Sequence, residues 1–251
     1  TTCQGGYFPL SEGNDFVSDE QLLTRPLITV TNLIWSFDAT SQTVQLLLVR
    51  RDQEPFADSW ALPETLLRRH ESADDAAIRL IKDKIGLELS LAATEQLATF
   101  TAPDRVPGER ALALAYMTFL PSMPALTPGY GASEVAWFTL RRTAEQDTLQ
   151  NGRHTFILNR PALAFDHDQI IATALTRIQN KLDYQPTVLR ILGQQFTLKE
   201  ARNVYATFLK TTPAAIDNSN FRKTHSHLFE ECGTATPKQS GRPPKIYRLR
   251  G

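Results

Sequence analysis

Residues 71–87 read ESADDAAIRLIKDKIGL, and the charges on this stretch decide how the chain is to be read. The spacing follows G-x5-E-x7-R-E-U-x-E-E-x-G-U, with U aliphatic, a helical frame whose carboxylates gather around a divalent cation. Glu71, Arg79, Ile81, Gly86 and Leu87 stand where that pattern wants them, but its first glycine is Thr65, the glutamate after Arg79 is Leu80, and the closing glutamate pair is Asp83-Lys84. Positions 80, 83 and 84 fall at i, i+3 and i+4, on one helix face. A hard cation needs several oxygen ligands there, whereas this face offers an apolar side chain, one carboxylate and one ammonium without a lone pair. Asp83 and Glu71 would have to hold the metal almost alone, so efficient metal-assisted hydrolysis is not expected. Ser72-x-x-Asp75 makes a capping-box start and Gly86 a stop, which an ordinary amphipathic helix would share.

The flanking segments separate the two readings. Upstream, VQLLLVRR (44–51) reads as a buried strand, and a turn-rich stretch containing Glu54-Pro55-Phe56 leads into Trp60-Ala61-Leu62-Pro63. Downstream come TFTAPDR (99–105) and the apolar run from Ala111 to Leu120. In order and spacing this series, together with the altered box, resembles the Nudix-related transcriptional regulators of NAD metabolism, the NrtR family, over roughly residues 27 to 250. The resemblance implies an α/β Nudix-like N-terminal domain, with a mixed sheet and flanking helices, followed by a C-terminal winged helix-turn-helix domain. It implies binding of ADP-ribose or a related nucleotide, and repression of NAD biosynthesis or salvage genes. Pro63-Glu64-Thr65 departs from the Pro-Gly-Gly usual after Trp-Ala-Leu in that family.

Composition is that of ordinary globular domains, with 41% apolar and 22% charged residues in 251. No apolar run nears the ~18 residues that span a bilayer, and the N-terminus lacks a basic and then apolar leader, so no membrane partner is expected and the protein is read as cytoplasmic. Cys3 and Cys232 are too few and too far apart in sequence for a disulfide framework or a cysteine-based zinc site. The expected division is an arm at 1–26, a Nudix-like effector-sensing domain at 27–165, a connecting helix at 166–186 and a DNA-binding domain at 187–251.

The net charge of zero conceals an asymmetry: residues 1–186 hold 16 Lys and Arg against 23 Asp and Glu, and residues 187–251 hold 11 against 4. An excess of seven positive charges on so short a segment suits a nucleic-acid partner. Thr197-x-x-Glu200 is a capping box, and Leu198, Ala201, Val204, Tyr205, Phe208 and Leu209 recur at the helical period, predicting a helix over about 198–210. Asp217 can cap a second helix that buries Phe221, Leu228 and Phe229. Residues 232–236 and 246–250 can pair around a basic loop, the form of a wing. Candidate DNA contacts are Thr197 and Lys199, then Asn218, Asn220, Arg222, Lys223 and Ser226 on the recognition helix, then Lys238, Arg242 and Lys245 on the wing; Asn and Arg read adenine and guanine edges bidentately. One such module reads few bases, so a homodimer on a palindromic double-stranded operator is expected.

Between the domains, Ile170, Ile171, Ala174, Leu175, Ile178 and Leu182 form one stripe of a connecting helix, preceded by Leu163-Ala-Phe-Asp-His167, which resembles the family's hinge. His167 reads as a structural histidine, and His225 with His227 as a poor metal pair. For the effector, Arg51 and Arg105 can fork onto a pyrophosphate, Phe56, Trp60 and Phe100 can stack a base, and Asp104 can accept from a ribose hydroxyl; Trp60 and Phe56 can equally be core. Arg105 is the foremost of these, on the argument that a loop charge beside a strand is seldom needed for packing. No catalytic residue, metal or cofactor is expected beyond an ADP-ribose-type effector. The alternatives are an ADP-ribose pyrophosphatase with residual activity and an effector-independent DNA-binding dimer.

Overall fold

The computed structural model describes residues 25–86, 94–158, 160–235 and 243–250. The expected arm, 1–26, therefore falls almost wholly outside the described residues, as do Lys238 and Arg242.

Two strands rich in β-branched and aliphatic residues, β1 (Leu27–Asp38) and β2 (Thr43–Arg51), are buried along most of their length. They pair antiparallel only from Trp35↔Leu46 to Asp38↔Thr43 and then separate. Two short strands fill the opening: β3 (Trp60–Ala61) pairs with β2, and β4 (Glu64–Leu66) pairs with β1. Next come α1 (Ala73–Ile85), β5 (Thr94–Phe100), β6 (Ala111–Phe119), β7 (Ala132–Arg142), β8 (Asp147–Asn151) and β9 (His154–Ile157). The main path of the sheet runs β5-β6-β1-β2-β7-β8-β9. It is mixed, because β6 lies parallel to β1 from Leu27↔Ala111 to Trp35↔Phe119 while the other pairings are antiparallel.

Helix α1 is the 71–87 stretch, and its ends form as the sequence dictates. The Ser72 hydroxyl accepts from the Asp75 amide while the Asp75 carboxylate accepts from the Ser72 amide, and Gly86 closes the helix at φ 71°, a left-handed conformation that costs glycine little. Ala76, Ala77, Leu80, Ile81 and Ile85 face inward.

The connecting helix, α2 (His167–Lys181), buries its predicted stripe. Arg177 Nη2 donates to the Leu97 carbonyl (3.1 Å) and Lys181 pairs with Glu95 (3.1 Å), fastening α2 along β5. A 3-10 segment at Thr187–Leu192 leads to β10 (Phe196–Thr197), α3 (Leu198–Phe208), α4 (Asn218–Thr224), β11 (Phe229–Thr234) and β12 (Lys245–Leu249), with β10 and β11 flanking β12 in a three-stranded sheet. This is a winged helix. Two expectations need correction. Helix α4 ends at Thr224, so Leu228 lies in the following turn and Phe229 opens β11; and α3 stops at Phe208, leaving Leu209 45% exposed. The turn at 225–228 exists because the amides of Leu228 and Phe229 both bond back to the His225 carbonyl.

The apolar core does not divide between the two sheets. One cluster runs from Leu33, Trp35 and Phe138 through Ile170 and Leu175 to Val204, Phe208 and Phe221. Trp35 meets Phe208 edge to face at 6.1 Å. Polar contacts cross the same junction: Asn203 Nδ2 donates to Gln42 Oε1 (2.8 Å), Arg142 Nη1 to the Phe208 carbonyl (2.9 Å), and Lys210 pairs with Asp147 (3.1 Å).

Candidate functional site

Where β1 and β2 part, a cleft of about 780 Å³ opens between β4, α1 and the segment at Tyr130-Gly131. Arg79 of α1 clamps Glu71 through Nε (2.8 Å) and Nη2 (2.7 Å), reaches Asp83 through Nη1 (3.2 Å) and donates to the Leu66 carbonyl (3.0 Å). Its hydrogen bonds hold the Glu71 carboxyl below the usual range. Leu80 is fully buried and has no donor atom. Both carboxylates that remain from the metal pattern are thus engaged by a guanidinium, and the third position holds Lys84. This donor set does not fit a hard divalent cation, which needs several free oxygens; among the described residues no group of three or more His, Cys, Asp or Glu is placed to hold a metal.

Lys84 donates to the Tyr130 carbonyl. Burial pushes its pKa down, and so does Arg51, while Asp52, Asp83 and Glu64 favour the charged form. Gly129 lies so close to the Asp83 carbonyl that a Cβ could not be accommodated, and this approach brings Tyr130 to the end of α1.

Glu64, absent from the sequence-derived candidates, is the other charged centre. Burial works against its ionised form, but His167, the Thr31 hydroxyl at 2.8 Å and Arg105 outweigh that and hold its pKa at about 2. His167 Nδ1 accepts from the Leu62 amide (3.0 Å), so the ring proton sits on Nε2, 3.8 Å from Glu64 Oε2. Arg105 has a fully buried side chain that donates to Asp166 through Nε (3.1 Å) and Nη2 (2.8 Å), with Glu64 Oε2 at 3.9 Å. Asp166 is the residue preceding α2. The expectation for Arg105 is therefore corrected: its loop charge is needed for packing, because it fastens the start of α2 to the cleft wall.

Of the six effector candidates, the cleft gathers Arg51. Its Nε and Nη2 donate to the Pro55 and Gln53 carbonyls (3.0 and 3.3 Å), and its guanidinium lies 4.7 Å from the Phe165 ring centroid. Phe56 stacks edge to face on Phe165 at 4.9 Å. Trp60, 5% exposed, packs against Phe138 and His154 and is core. Phe100 packs partly buried against the main core, and Asp104 is exposed in the loop after β5. Sequence reasoning missed Glu64, Arg68 and Tyr130. A carboxylate directly after Trp-Ala-Leu-Pro was the available signal for Glu64; Tyr130, 84% exposed at the lip, carried none.

On the winged helix, Thr197, Lys199, Asn218, Arg222 and Lys245 line one groove together with Ser219 and Tyr247. A second groove holds Ser219, Arg222, Lys223, Ser226 and Arg250, so Arg222 stands between the two. Asp217 caps α4 through the Asn220 amide (2.7 Å), leaving the Asn218 and Asn220 side chains exposed. The Thr197 hydroxyl is engaged in its capping box with Glu200, and Lys245 pairs with Glu231 (2.7 Å). Arg250 and Ser219 were not foreseen.

Comparison with known proteins agrees with this architecture. Residues 29–159 match the NUDIX domain and residues 188–249 the NrtR DNA-binding winged helix domain. The chain is 34% identical to a MutT/nudix family protein of Enterococcus faecalis, covering 94% of this chain and 92% of that one with a TM-score of 0.82. It superposes on Shewanella oneidensis NrtR, solved with a 27mer DNA, with a TM-score of 0.67 at 24% identity, over 89% and 93% of the two chains. It is 26% identical over 229 residues, 89% of its length and 82% of the other's, to the ADPR responsive transcriptional repressor NtrR of Acinetobacter baylyi. An ADP-ribose pyrophosphatase of Methanocaldococcus jannaschii is 26% identical over 60% of this chain and 74% of its own. With a splayed mixed sheet and the α1 frame over residues 29–159, joined to a domain that matches the NrtR DNA-binding winged helix over 188–249, the protein belongs to the Nudix family.

Proposed function

We propose that this chain is a transcriptional repressor of NAD biosynthesis or salvage genes that binds a palindromic operator as a homodimer and leaves it when ADP-ribose, or a related nucleotide diphosphate ribose, occupies the α1 cleft. The observation that carries this reading is the coexistence of a cation-bearing, ligand-sized cleft stripped of metal ligands with an exposed Asn and Arg helix flanked by basic side chains. The relatives support it: one is named as an ADPR responsive repressor, and the fold is shared with a regulator crystallised on DNA. On this reading the chain is not a hydrolase, because Arg79 occupies both surviving carboxylates.

Coupling requires that the ligand distinguish the DNA-competent arrangement from the other, typically by ~1 to 3 kcal/mol, and that operator DNA weaken ligand binding by the same factor. The test is a gel shift with the full chain and promoter fragments of NAD-metabolism genes, with and without ADP-ribose, NAD and AMP. Release by ADP-ribose alone is the expected result; a retarded band indifferent to all three would leave a constitutive DNA-binding dimer.

A further inference from the structure

We propose that the Lys84 ammonium takes the place of the divalent cation in the α1 cleft, so that the diphosphate of a nucleotide ligand is bound directly, without metal. This rests on the sensor reading above for the identity of the ligand, but the anion site itself does not.

Charge is the first argument. Where the metal pattern sets three carboxylates at positions 80, 83 and 84, this chain sets Leu, Asp and Lys, so those positions sum to zero. The shift is three units, more than the two a divalent ion would bring. The ion has lost both its ligands and the field that would attract it, while a diphosphate no longer meets a wall of carboxylates that only a metal could neutralise.

Geometry is the second. Lys84 carries three donors, and its described hydrogen bond, to the Tyr130 carbonyl, uses one. Lys84 lines the cleft together with Arg51, Glu64 and Asp83. Arg51 is fixed by the Pro55 and Gln53 carbonyls through Nε and Nη2, so among the described residues Nη1 remains for an anion. Arg68, which lines the same cleft, is exposed. An ammonium and two guanidinium groups lining one cleft, itself large enough for a nucleotide, make a site for phosphate oxygens, each charge-assisted contact being about twice as strong as a neutral one. Tyr130 adds an exposed ring at the lip on which a base can stack.

The experiment is calorimetric titration of the full chain with ADP-ribose and, separately, with inorganic pyrophosphate, each in excess EDTA and in excess magnesium. ADP-ribose is expected to bind equally well in both buffers, and Lys84→Gln to lose about tenfold or more in affinity while keeping the wild-type melting temperature. Binding by the wild-type chain that EDTA abolishes and magnesium restores overturns the proposal, and this arm decides even if Lys84→Gln does not fold. A folded Lys84→Gln with wild-type affinity overturns it as well. If ADP-ribose binds in neither buffer while pyrophosphate binds in EDTA and depends on Lys84, the sensor reading falls and the metal-free anion site stands. If neither ligand binds, both fall.

Discussion

Substituting Arg105 by methionine removes a guanidinium with no solvent exposure and strands the two carboxylates it serves, Asp166 at 12% and Glu64 at 16% side-chain exposure. Taking one partner from a buried pair costs about 3 to 5 kcal/mol because the other charge is left uncompensated. The slight exposure of both carboxylates allows water to recover part of that, placing the expected loss near the lower end, at about 3 kcal/mol. In a chain of this size, ~1 kcal/mol moves the melting temperature by roughly 2 to 4 °C, so the variant should melt about 6 to 12 °C below wild type, followed by far-ultraviolet circular dichroism. The double variant Arg105→Met/Asp166→Leu should recover part of the loss, giving a coupling energy of about 1 to 3 kcal/mol in the cycle. A single variant that melts with wild type yet binds ADP-ribose poorly would refute this reasoning and return Arg105 to the ligand.

Glu64 sets the acid limb of stability. Its folded pKa of about 2 lies below the ordinary 4.5, so its contribution is complete above pH ~4.5 and drains away as the pH falls towards 2, to the extent of roughly 3 kcal/mol; urea titrations across that window should show Glu64→Gln flattening the fall. On DNA, Arg222→Ala should cost about 1 to 3 kcal/mol and relax preference at one position per half-site. Lys199→Ala should weaken specific and non-specific sites alike and lower the salt slope by about one, whereas Lys245→Ala should do less, since Glu231 already neutralises it; equal effects of Arg222 and Lys199 in fluorescence anisotropy would misplace the recognition helix. Incubated with magnesium and ADP-ribose, the chain should release no AMP at rates near ~1 per second, and turnover at that rate, read by chromatography, would contradict the donor-set argument.

The parts of this molecule written in short-range pattern were legible before any coordinates. The α1 frame and caps, the stripe of α2, and the capping box of α3 all depend on neighbours within one or two helical turns. What was not legible depends on partners far away in sequence. Arg105 looked free because Asp166 is 61 residues distant, and Glu64 looked like an interruption because its neighbours come from β1, the loop after β5 and the start of α2. Trp60 illustrates the converse: an aromatic residue in a motif fits stacking on a ligand and filling a core equally well, and Phe138 and His154, which decide for the core, are remote. The Tyr130 lip is held by Gly129 against Asp83, a backbone approach that no periodicity announces.

The apolar cluster shared by the large sheet and the winged helix limits how this chain can be cut or signal. Excised at residue 187, the C-terminal segment would present Val188, Leu189, Ile191, Val204 and Phe208, all at most 1% exposed in the whole chain, as a greasy patch, so it is not a cassette to be grafted onto another sensor. The same continuity predicts one calorimetric transition instead of two. A body that melts as a unit also tends to move as a unit, and on the proposed repressor reading leverage on an operator comes from the angle between two copies of the chain more than from a joint inside either one.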